Sequence, residues 1–294
     1  MKKLMWLLVA GVVGLMCSAA QAQDLKLPES AFDKKMAAID AGKESPWYIL
    51  PYRPTYILPV TYIKDPSLGS DPEVQAEEEN LQEIEVKFQI SLRFPVAQDL
   101  IYGNGELNFA YTQVSVWQAY NSDESSPFRD TNYEPEMFLA FDTDYDVLGL
   151  HGKMINVGAV HQSNGRGNET LSRSWNRIYA NFILERGNFA CAIKPWYRIP
   201  EDEEEDNNPD LEDYLGYADF RLAYNHDGLV LSTLLRNNFD YDENHGSAEI
   251  DFSFPLVGQF KGFIQYFYGY GETLLTYDEK NERIGAGFLL ADWL

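Results

Sequence analysis

The sequence predicts an all-β protein, an antiparallel β-barrel that spans a membrane. Segments of about ten residues alternate apolar and polar side chains, tight turns and long polar loops connect them, and 19 Tyr, 17 Phe and 6 Trp are present. Alternating strands of this length, with aromatic residues for the two membrane interfaces, are typical of transmembrane barrels. A soluble β-sandwich also alternates, but its strands average about five or six residues, so the strand length favours a barrel.

Residues 1–22 are predicted to be a cleaved signal peptide. Lys2 and Lys3 precede the uncharged apolar run Leu4–Met16, and Ala20-Gln21-Ala22 follows as a small-residue cleavage site. A membrane anchor is the alternative interpretation. The 13 residues of the apolar run fall short of the roughly 20 that span a bilayer, so we expect export and cleavage.

Residues 23–51 are expected to form a short N-terminal periplasmic arm, with a short helix around residues 31–41, and residues 52–294 to form the barrel. The clearest strand is Glu83–Phe94, whose even positions are apolar and odd positions polar or charged over 12 residues. Segment 52–62 is a weaker candidate because it contains two prolines. The other predicted strands are 106–118, 135–146, 148–163, 175–186, 188–199, 214–226, 228–239, 246–254, 260–270 and 282–293.

Charge and cysteine content exclude several function classes. The chain has 23 basic and 46 acidic residues, a net charge of −23. Such a surface repels phosphate backbones, so no nucleic-acid partner is expected. Cys17 and Cys191 cannot form a disulfide framework, and no Cys/His cluster has zinc-ligand spacing. The acidic run Glu201–Asp213 is interpreted as a solvated loop without a site.

Gln113 is a polar residue on a row that could face lipid. In segment 106–118 it shares the odd row with Phe109 and Tyr111. A lipid-facing amide is costly unless it is paired, for example with the same residue of a second barrel. If the even row faces lipid instead, Gln113 lines the lumen. The spacing alone leaves both interpretations open.

His161, Ser163 and Asn176 are candidates for nucleophilic catalysis. His161 and Ser163 are two residues apart at the end of a predicted strand and therefore share a face. An antiparallel hairpin would bring Asn176, near the start of the next strand, beside His161. A hydroxyl, an imidazole and a fixed carbonyl acceptor form a catalytic triad. The alternative is a polar loop tip with a chance His-x-Ser.

Six segments closely resemble the outer membrane phospholipase A family of Gram-negative bacteria. The resemblance extends from about Tyr52 to Leu294, and the segment with His161, Ser163 and Asn176 is the most specific. The matching segments are Tyr111–Asn121, Ser125–Pro135, His161–Arg177, Lys194–Tyr197, Asn208–Asp210 and Tyr268–Glu272.

The resemblance implies a fold and an activity. Members of this family are twelve-stranded antiparallel barrels in the outer membrane. They are phospholipases A that hydrolyse acyl esters of phospholipids and lysophospholipids at the sn-1 and sn-2 positions. They need calcium and are active as homodimers. By resemblance, the substrate of this chain would be membrane phospholipid and its partner a second copy of itself.

The resemblance also implies roles for individual residues on the outer face of the barrel. Ser163 would be the nucleophile, His161 the general base and Asn176 the residue that orients His161. Gly165 matches the position whose backbone N–H helps form the oxyanion hole. Gln113 matches the family's dimer-interface glutamine, which favours the lipid-facing interpretation of its row.

A calcium site is implied by the same comparison of positions. Its ligands would be the Arg166 carbonyl, the Ser172 hydroxyl and the Ser125 carbonyl of the other subunit, all oxygen ligands of the kind calcium prefers. Ser163 and Asn176 are 13 positions apart, one more than is usual in the family. The calcium geometry depends on this loop.

A non-catalytic outer-membrane barrel, either a porin or a structural protein, is the alternative function. Aqueous porins typically have about 16 to 18 strands, more than this chain provides. A porin gives no reason for His161, Ser163 and Asn176 to converge. A structural barrel that had lost catalysis would be expected to have a broken triad, whereas all three residues are present here.

Overall fold

The computed structural model describes residues 30, 49–69, 80–167, 170–202, 204–258 and 260–293. The predicted signal peptide (1–22), the short helix around residues 31–41 and most of the arm (23–51) lie outside the described residues. Of the arm, Ser30 donates a hydrogen bond to the Glu185 carboxylate.

The described residues form thirteen strands and one short helix. The strands and the helix are β1 (Leu50–Pro51), β2 (Thr55–Lys64), β3 (Ile84–Ala97), β4 (Glu106–Trp117), β5 (Phe128–Val147), β6 (Leu150–Ser163), β7 (Ser174–Arg186), β8 (Phe189–Ile199), α1 (Leu211–Leu215), β9 (Ala218–His226), β10 (Leu229–Asn237), β11 (Gly246–Val257), β12 (Phe260–Gly269) and β13 (Asn281–Ala291).

Twelve of these strands close into a barrel. Each of β2 to β13 pairs antiparallel with its neighbours in the chain, and β13 pairs with β2, with Ile284 opposite Tyr62. The two-residue strand β1 is additional and pairs with β3, where Leu50 lies opposite Arg93. Closure removes the edges that an open sheet would leave unpaired. The predicted twelve-stranded antiparallel barrel is confirmed.

The two ends of the barrel differ in how strands connect. At one end, two-residue turns join β5 to β6 and β9 to β10. Leu148 and Gly149, like Asp227 and Gly228, have positive φ, as the tight hairpin turns that match strand twist require. At the other end, longer loops such as 118–127 and 164–173 connect the strands. We call this end the loop rim.

Two strands begin several residues from the predicted start, and a third contains a proline. β5 begins at Phe128 rather than at 135, and β9 begins at Ala218 rather than at 214, because Leu211–Leu215 forms α1. β2 tolerates Pro59 because its pairing with β3 shifts register between Leu58 and Thr61. Proline lacks the N–H that an unbroken ladder needs, so a bulge accommodates it.

No helix in the described ranges of the chain is long and apolar enough to cross a membrane.

Side chains alternate between the two faces of the barrel wall as the pattern predicts. On β3, Glu85 and Lys87 are 0% and 2% exposed in the interior, whereas Ile90 is 42% exposed on the outer face. Exposed apolar residues continue around the wall, among them Val157, Ile178 and Ile264. The outer surface therefore matches a hydrocarbon environment, and the charges point inward.

The interior near the loop rim holds a buried ion-pair cluster. Arg129 and Arg283 each lie 2.7 Å from the Glu85 carboxylate, and Arg283 and Lys87 lie 2.7 and 3.0 Å from Glu272. We call these five residues the upper cluster. A charge so deeply buried is tolerated only when it is paired.

A second ion-pair cluster lies in the interior beside β1. Arg53 contacts Glu134 at 2.6 Å and Glu136 at 2.8 Å, and Lys194 and the Tyr179 hydroxyl also reach Glu136. Residues of both clusters line an interior cavity of about 210 Å³. Ion-paired side chains thus line the lumen.

Glu272→Gln is expected to destabilise the fold at neutral pH by about 3 kcal/mol, because buried cations lose a partner. Burial would raise the pKa of Glu272, but Arg283 and Lys87 outweigh burial and lower the pKa to about 2. The contribution of the Glu272 carboxylate to the free energy of unfolding is complete above about pH 4.3, the pKa of an unfolded Glu. It is lost as the pH falls below this value and through the folded pKa of about 2.

Urea unfolding of the detergent-refolded chain at pH 7 and pH 3 measures this difference. The exposed Glu243 provides the matched control, Glu243→Gln. An equal loss of stability in both variants, or a loss for Glu272→Gln that does not shrink at pH 3, would contradict the assignment.

Candidate active site

The β6–β7 hairpin places His161 directly opposite Asn176. The two side chains meet on the outer face, with His161 Nδ1 2.9 Å from Asn176 Oδ1. An amide oxygen only accepts, so in this contact Nδ1 carries the proton and Nε2 presents a lone pair. The hairpin predicted from the sequence is confirmed, and the contact of the imidazole with the Asn176 oxygen favours the tautomer that a general base needs.

Ser163 is the next outward residue of β6 after His161. It lies opposite Ser174 of β7 and is half-buried, whereas His161 is exposed. Alternate residues of a strand are about 7 Å apart and share a face, which brings a hydroxyl within reach of an imidazole. The outer surface at the loop rim therefore combines a hydroxyl, an imidazole and an oriented amide.

Inward-facing residues hold this hairpin in register. Trp175 is fully buried, donates a hydrogen bond from Nε1 to Gln162 Oε1 at 2.9 Å and packs edge-on against Trp196. The Arg177 guanidinium lies 3.7 Å from the centre of the Trp175 ring and also binds Gln162. Because faces alternate along a strand, these inward contacts require His161 and Asn176 to point outward.

Gly165 occupies a position that only glycine fits easily. Its φ is +66°, and a Cβ there would lie 2.8 Å from Cε2 of Tyr133. A side chain would need both a left-handed backbone and the displacement of the Tyr133 ring. The backbone just beyond Ser163 is therefore shaped by a close approach to β5.

Asn164 organises the loop that follows Ser163. It is 4% exposed, its N–H donates to the Arg173 carbonyl at 3.0 Å, and its side chain joins Arg173 N–H and the Leu171 carbonyl. Sequence analysis missed this residue, because a buried loop asparagine has no distinctive spacing. Its contacts tie the two ends of the loop together.

Arg166 and Ser172, the expected calcium ligands of this chain, lie in the same loop. The Ser172 hydroxyl accepts a hydrogen bond from Asn207 Nδ2 at 3.2 Å, and the Arg166 guanidinium binds the Arg129 carbonyl at 2.5 Å. The described residues contain no group of three or more His, Cys, Asp or Glu that could hold a metal.

This donor set suits calcium, which prefers neutral carbonyl and hydroxyl oxygens together with water. The Ser172 hydroxyl has a second lone pair beyond the one that Asn207 uses. The Arg166 guanidinium is held on another carbonyl rather than free to compete with a cation. The guanidinium of Arg173 donates to the Ser172 carbonyl at 2.8 Å, and its positive charge would oppose the binding of a cation nearby.

Ser125, the ligand expected from a second subunit, lies in loop 118–127 at the same rim. Its φ is +60°, a left-handed conformation, and its N–H donates to the Ser122 carbonyl at 3.2 Å. The next residue, Ser126, accepts a hydrogen bond from Trp117 Nε1 at 2.9 Å. The turn is thus held by contacts within its own loop.

Gln113 lies on the outward row of β4. Ala110 and Thr112 of the other row are 0% and 2% exposed in the interior, whereas Phe109 is 37% exposed on the outer face. The spacing had left the direction of this row open. The Gln113 side chain accepts a hydrogen bond from the Tyr111 hydroxyl at 3.0 Å and donates one to Ser115 at 3.1 Å.

Gln113 is also level with Ser163 on the barrel surface. Gln113 pairs with Tyr133 of β5, and Tyr133 pairs with Ser163 of β6. Neighbouring strands are about 4.8 Å apart, so two strand spacings, roughly 10 Å, separate Gln113 from Ser163. A partner seated on the Gln113 row would therefore border the candidate catalytic residues.

The remaining histidines lie elsewhere. His151 contacts Asp146 near the short turns, and His226 is an exposed residue beside a turn. His245 stacks against Tyr214 in an aromatic group at the loop rim. Neither a serine nor an asparagine contacts any of these three rings in the hydrogen bonds of the described residues.

A sequence profile of the phospholipase A1 family matches residues 32–290. The chain belongs to this family. Phospholipase A1 of Escherichia coli strain K12 is 38% identical over 250 residues, which cover 85% of this chain and 83% of that relative. The resemblance found in the sequence is thereby confirmed.

Two solved structures extend the comparison to the fold. The outer membrane phospholipase A from Escherichia coli matches with a TM-score of 0.78 and 37% identity, over 84% of this chain and 100% of that chain. The outer membrane phospholipase of Salmonella typhi, a dimer with bound calcium, matches with a TM-score of 0.78 and 38% identity, over 84% and 94%. This phospholipase A is therefore an outer-membrane barrel of a Gram-negative bacterium.

Gly165→Ala is expected to lower the activity of this phospholipase by about tenfold or more without unfolding the barrel, because the loop after Ser163 must shift. Gly167→Ala is the matched control, since a Cβ at Gly167 meets nothing within 4 Å. Fatty-acid release by both variants, normalised to folded protein, measures the effect. Equal activity of the two would show that the close approach to Tyr133 does not matter.

Proposed function

We propose that this phospholipase A hydrolyses the acyl esters of membrane phospholipids and lysophospholipids, at sn-1 and sn-2, with a Ser163–His161–Asn176 triad. The observation that carries the proposal is the 2.9 Å contact between His161 Nδ1 and Asn176 Oδ1 on the outer face, one strand repeat from Ser163. Ser163 is the nucleophile, His161 the general base and Asn176 the residue that orients the imidazole.

The residues of the chain account for each proton transfer. His161 Nε2 accepts the Ser163 proton as Oγ attacks the ester carbonyl, and then gives that proton to the departing glycerol oxygen. A water molecule next attacks the acyl-enzyme and gives a proton to His161. His161 returns this proton to Ser163 Oγ as the acyl–Oγ bond breaks and the fatty acid leaves. The backbone N–H of Gly165 stabilises the negative oxygen of each tetrahedral intermediate.

The position of the triad suits a substrate that stays in the membrane plane. Val157 and Ile178, below the triad on the same outward rows, are 50% and 49% exposed, and Tyr197 on β8 is 60% exposed. Acyl chains can lie along this apolar wall while the ester reaches the rim. No lipid has to enter the ion-paired lumen.

Calcium is the proposed cofactor. The Arg166 carbonyl, the Ser172 hydroxyl and the carbonyl of Ser125 of the partner subunit would hold it, with waters completing the shell. When bound, the ion supplies positive charge near the developing oxyanion. A site divided between two chains makes activity depend on association.

Homodimerisation is the proposed switch, with Gln113 in the interface. A buried amide in an apolar interface is stabilised when a second copy offers the same group across a two-fold axis. An inactive monomer in an intact membrane would protect the cell from lysis of its own lipids.

Residues 1–22 would act as the cleaved signal peptide and residues 23–51 as the periplasmic arm.

Ser163→Ala is expected to abolish fatty-acid release from phospholipid–detergent micelles, and a calcium chelator to suppress release by the wild type. Ser174→Ala, on the neighbouring strand, is the control for loss of a rim hydroxyl. Release that survives chelation would retain the esterase and discard the calcium site. No release by folded, dimeric wild type with calcium would favour the non-catalytic porin or structural barrel.

Gln113→Leu is expected to weaken the dimer and lower activity in parallel, since the proposed amide-to-amide contact is removed from both subunits. Chemical cross-linking and fatty-acid release, measured on the same samples, test the link. Ile264→Leu, at an outward position of β12 that is 41% exposed, is the control. If Gln113→Leu left both dimer and activity unchanged, the proposed switch would be wrong.

A further inference from the structure

Both ends of the Asn176 amide are engaged. Oδ1 faces His161 Nδ1 at 2.9 Å, and Nδ2 donates to Glu201 Oε1, also at 2.9 Å. Glu201 lies in the acidic run that the sequence indicated to be a solvated loop. Its carboxylate instead touches the residue that orients the candidate general base.

The chemistry of a carboxylate makes this contact directional. An ionised carboxylate only accepts hydrogen bonds, so the NH₂ end of Asn176 must face Glu201. The oxygen of the amide then faces His161, and His161 must carry its proton on Nδ1. Glu201 thus excludes the flipped amide, which would present its NH₂ group to the ring. That orientation would favour a proton on Nε2, the atom that must be free to accept the proton of Ser163.

The fold holds Glu201 in this position. β8 ends at Ile199, which lies directly opposite Asn176, so Glu201 follows two residues later. Arg198 anchors the start of the loop through Asp206 at 2.7 Å and the Asn208 carbonyl at 3.0 Å.

The other end of this loop is tied to β7. The Ser174 N–H donates to the side-chain oxygens of Asn207 and Asn208 at 3.2 and 3.0 Å. The loop is therefore bound at both ends to the strand that carries Asn176. These contacts fix the position of the Glu201 carboxylate.

Glu201 also compensates for a weakness of asparagine. A neutral Asn orients the imidazole but stabilises the imidazolium less than Asp would. The Glu201 carboxylate adds a full negative charge at the far end of the hydrogen-bonded chain His161–Asn176–Glu201. Hydrogen bonds in such a chain polarise one another. Glu201 is half-buried at the rim, so solvent screens this charge only in part.

We propose that Glu201 is a positioning residue for ester hydrolysis, which fixes the Asn176 amide and, through it, the tautomer and charge of His161. This inference rests on the proposed function of the triad. It extends the triad to a relay from Ser163 through His161 and Asn176 to Glu201.

Glu201→Gln is the first test, because glutamine keeps the shape of the side chain but can both donate and accept. We expect kcat to fall roughly tenfold, as for the loss of a hydrogen bond to a charged group, with little change in KM. The acid limb of the pH profile of kcat/KM should move to lower pH, because the imidazolium loses a stabilising charge. Glu201→Asp should recover part of the rate.

Glu204→Gln is the matched control, an exposed carboxylate of the same loop with the same loss of charge. It should keep the wild-type rate and pH profile. The same two variants in an Asn176→Ala background distinguish a role that acts through Asn176 from a purely structural role of Glu201. If Glu201 acts through Asn176, Glu201→Gln should then cost nothing further.

The outcomes divide clearly. If wild type, Glu204→Gln and Glu201→Gln all hydrolyse phospholipid at the same rate, the relay is overturned and the triad is left intact. An unshifted acid limb, or the same tenfold loss in the Asn176→Ala background, would also overturn it, because a structural role predicts both. Failure of folded wild type to hydrolyse phospholipid would instead overturn the proposed function itself.

Discussion

The site depends on the register of β6 against β7, and side chains inside the barrel hold that register. Trp175, Arg177 and Gln162 form one packed and hydrogen-bonded group in the interior. A slip of one residue would turn this group towards lipid and move His161 and Asn176 to the inside, since side chains alternate with a period of two. The outward face that carries the candidate triad is thus stabilised by interactions on the opposite face of the same two strands.

The distribution of charge follows the same logic around the whole barrel. The chain is strongly acidic, yet its outer wall is apolar because inward positions and loops carry the charged residues. Arginines and lysines neutralise the buried carboxylates in two interior clusters. These paired side chains line the lumen with charge, which supports the proposal that lipid reaches Ser163 from the apolar outer face.

Much of this arrangement could be predicted from the sequence, because it depends on periodicity. The two faces of β3 and the meeting of His161 with Asn176 follow from alternation and from hairpin geometry. The early start of β5 could not be predicted, since residues 129–134 place polar side chains on both rows. Neither could α1, a single turn set by its surroundings. Glu201 escaped notice for a different reason: in an acidic run every carboxylate looks alike, and only the fold selects the one that meets Asn176.

The central claim is that an outward serine at the loop rim is the nucleophile, and covalent trapping tests it most directly. A long-chain fluorophosphonate, which mimics the ester in its tetrahedral state, would be reacted with the full chain in detergent and the adduct located by peptide mass spectrometry. We expect one adduct, on Ser163, that disappears when His161 is replaced by alanine. An adduct on Ser172 or Ser174, or an active enzyme that forms none on Ser163, would contradict the account.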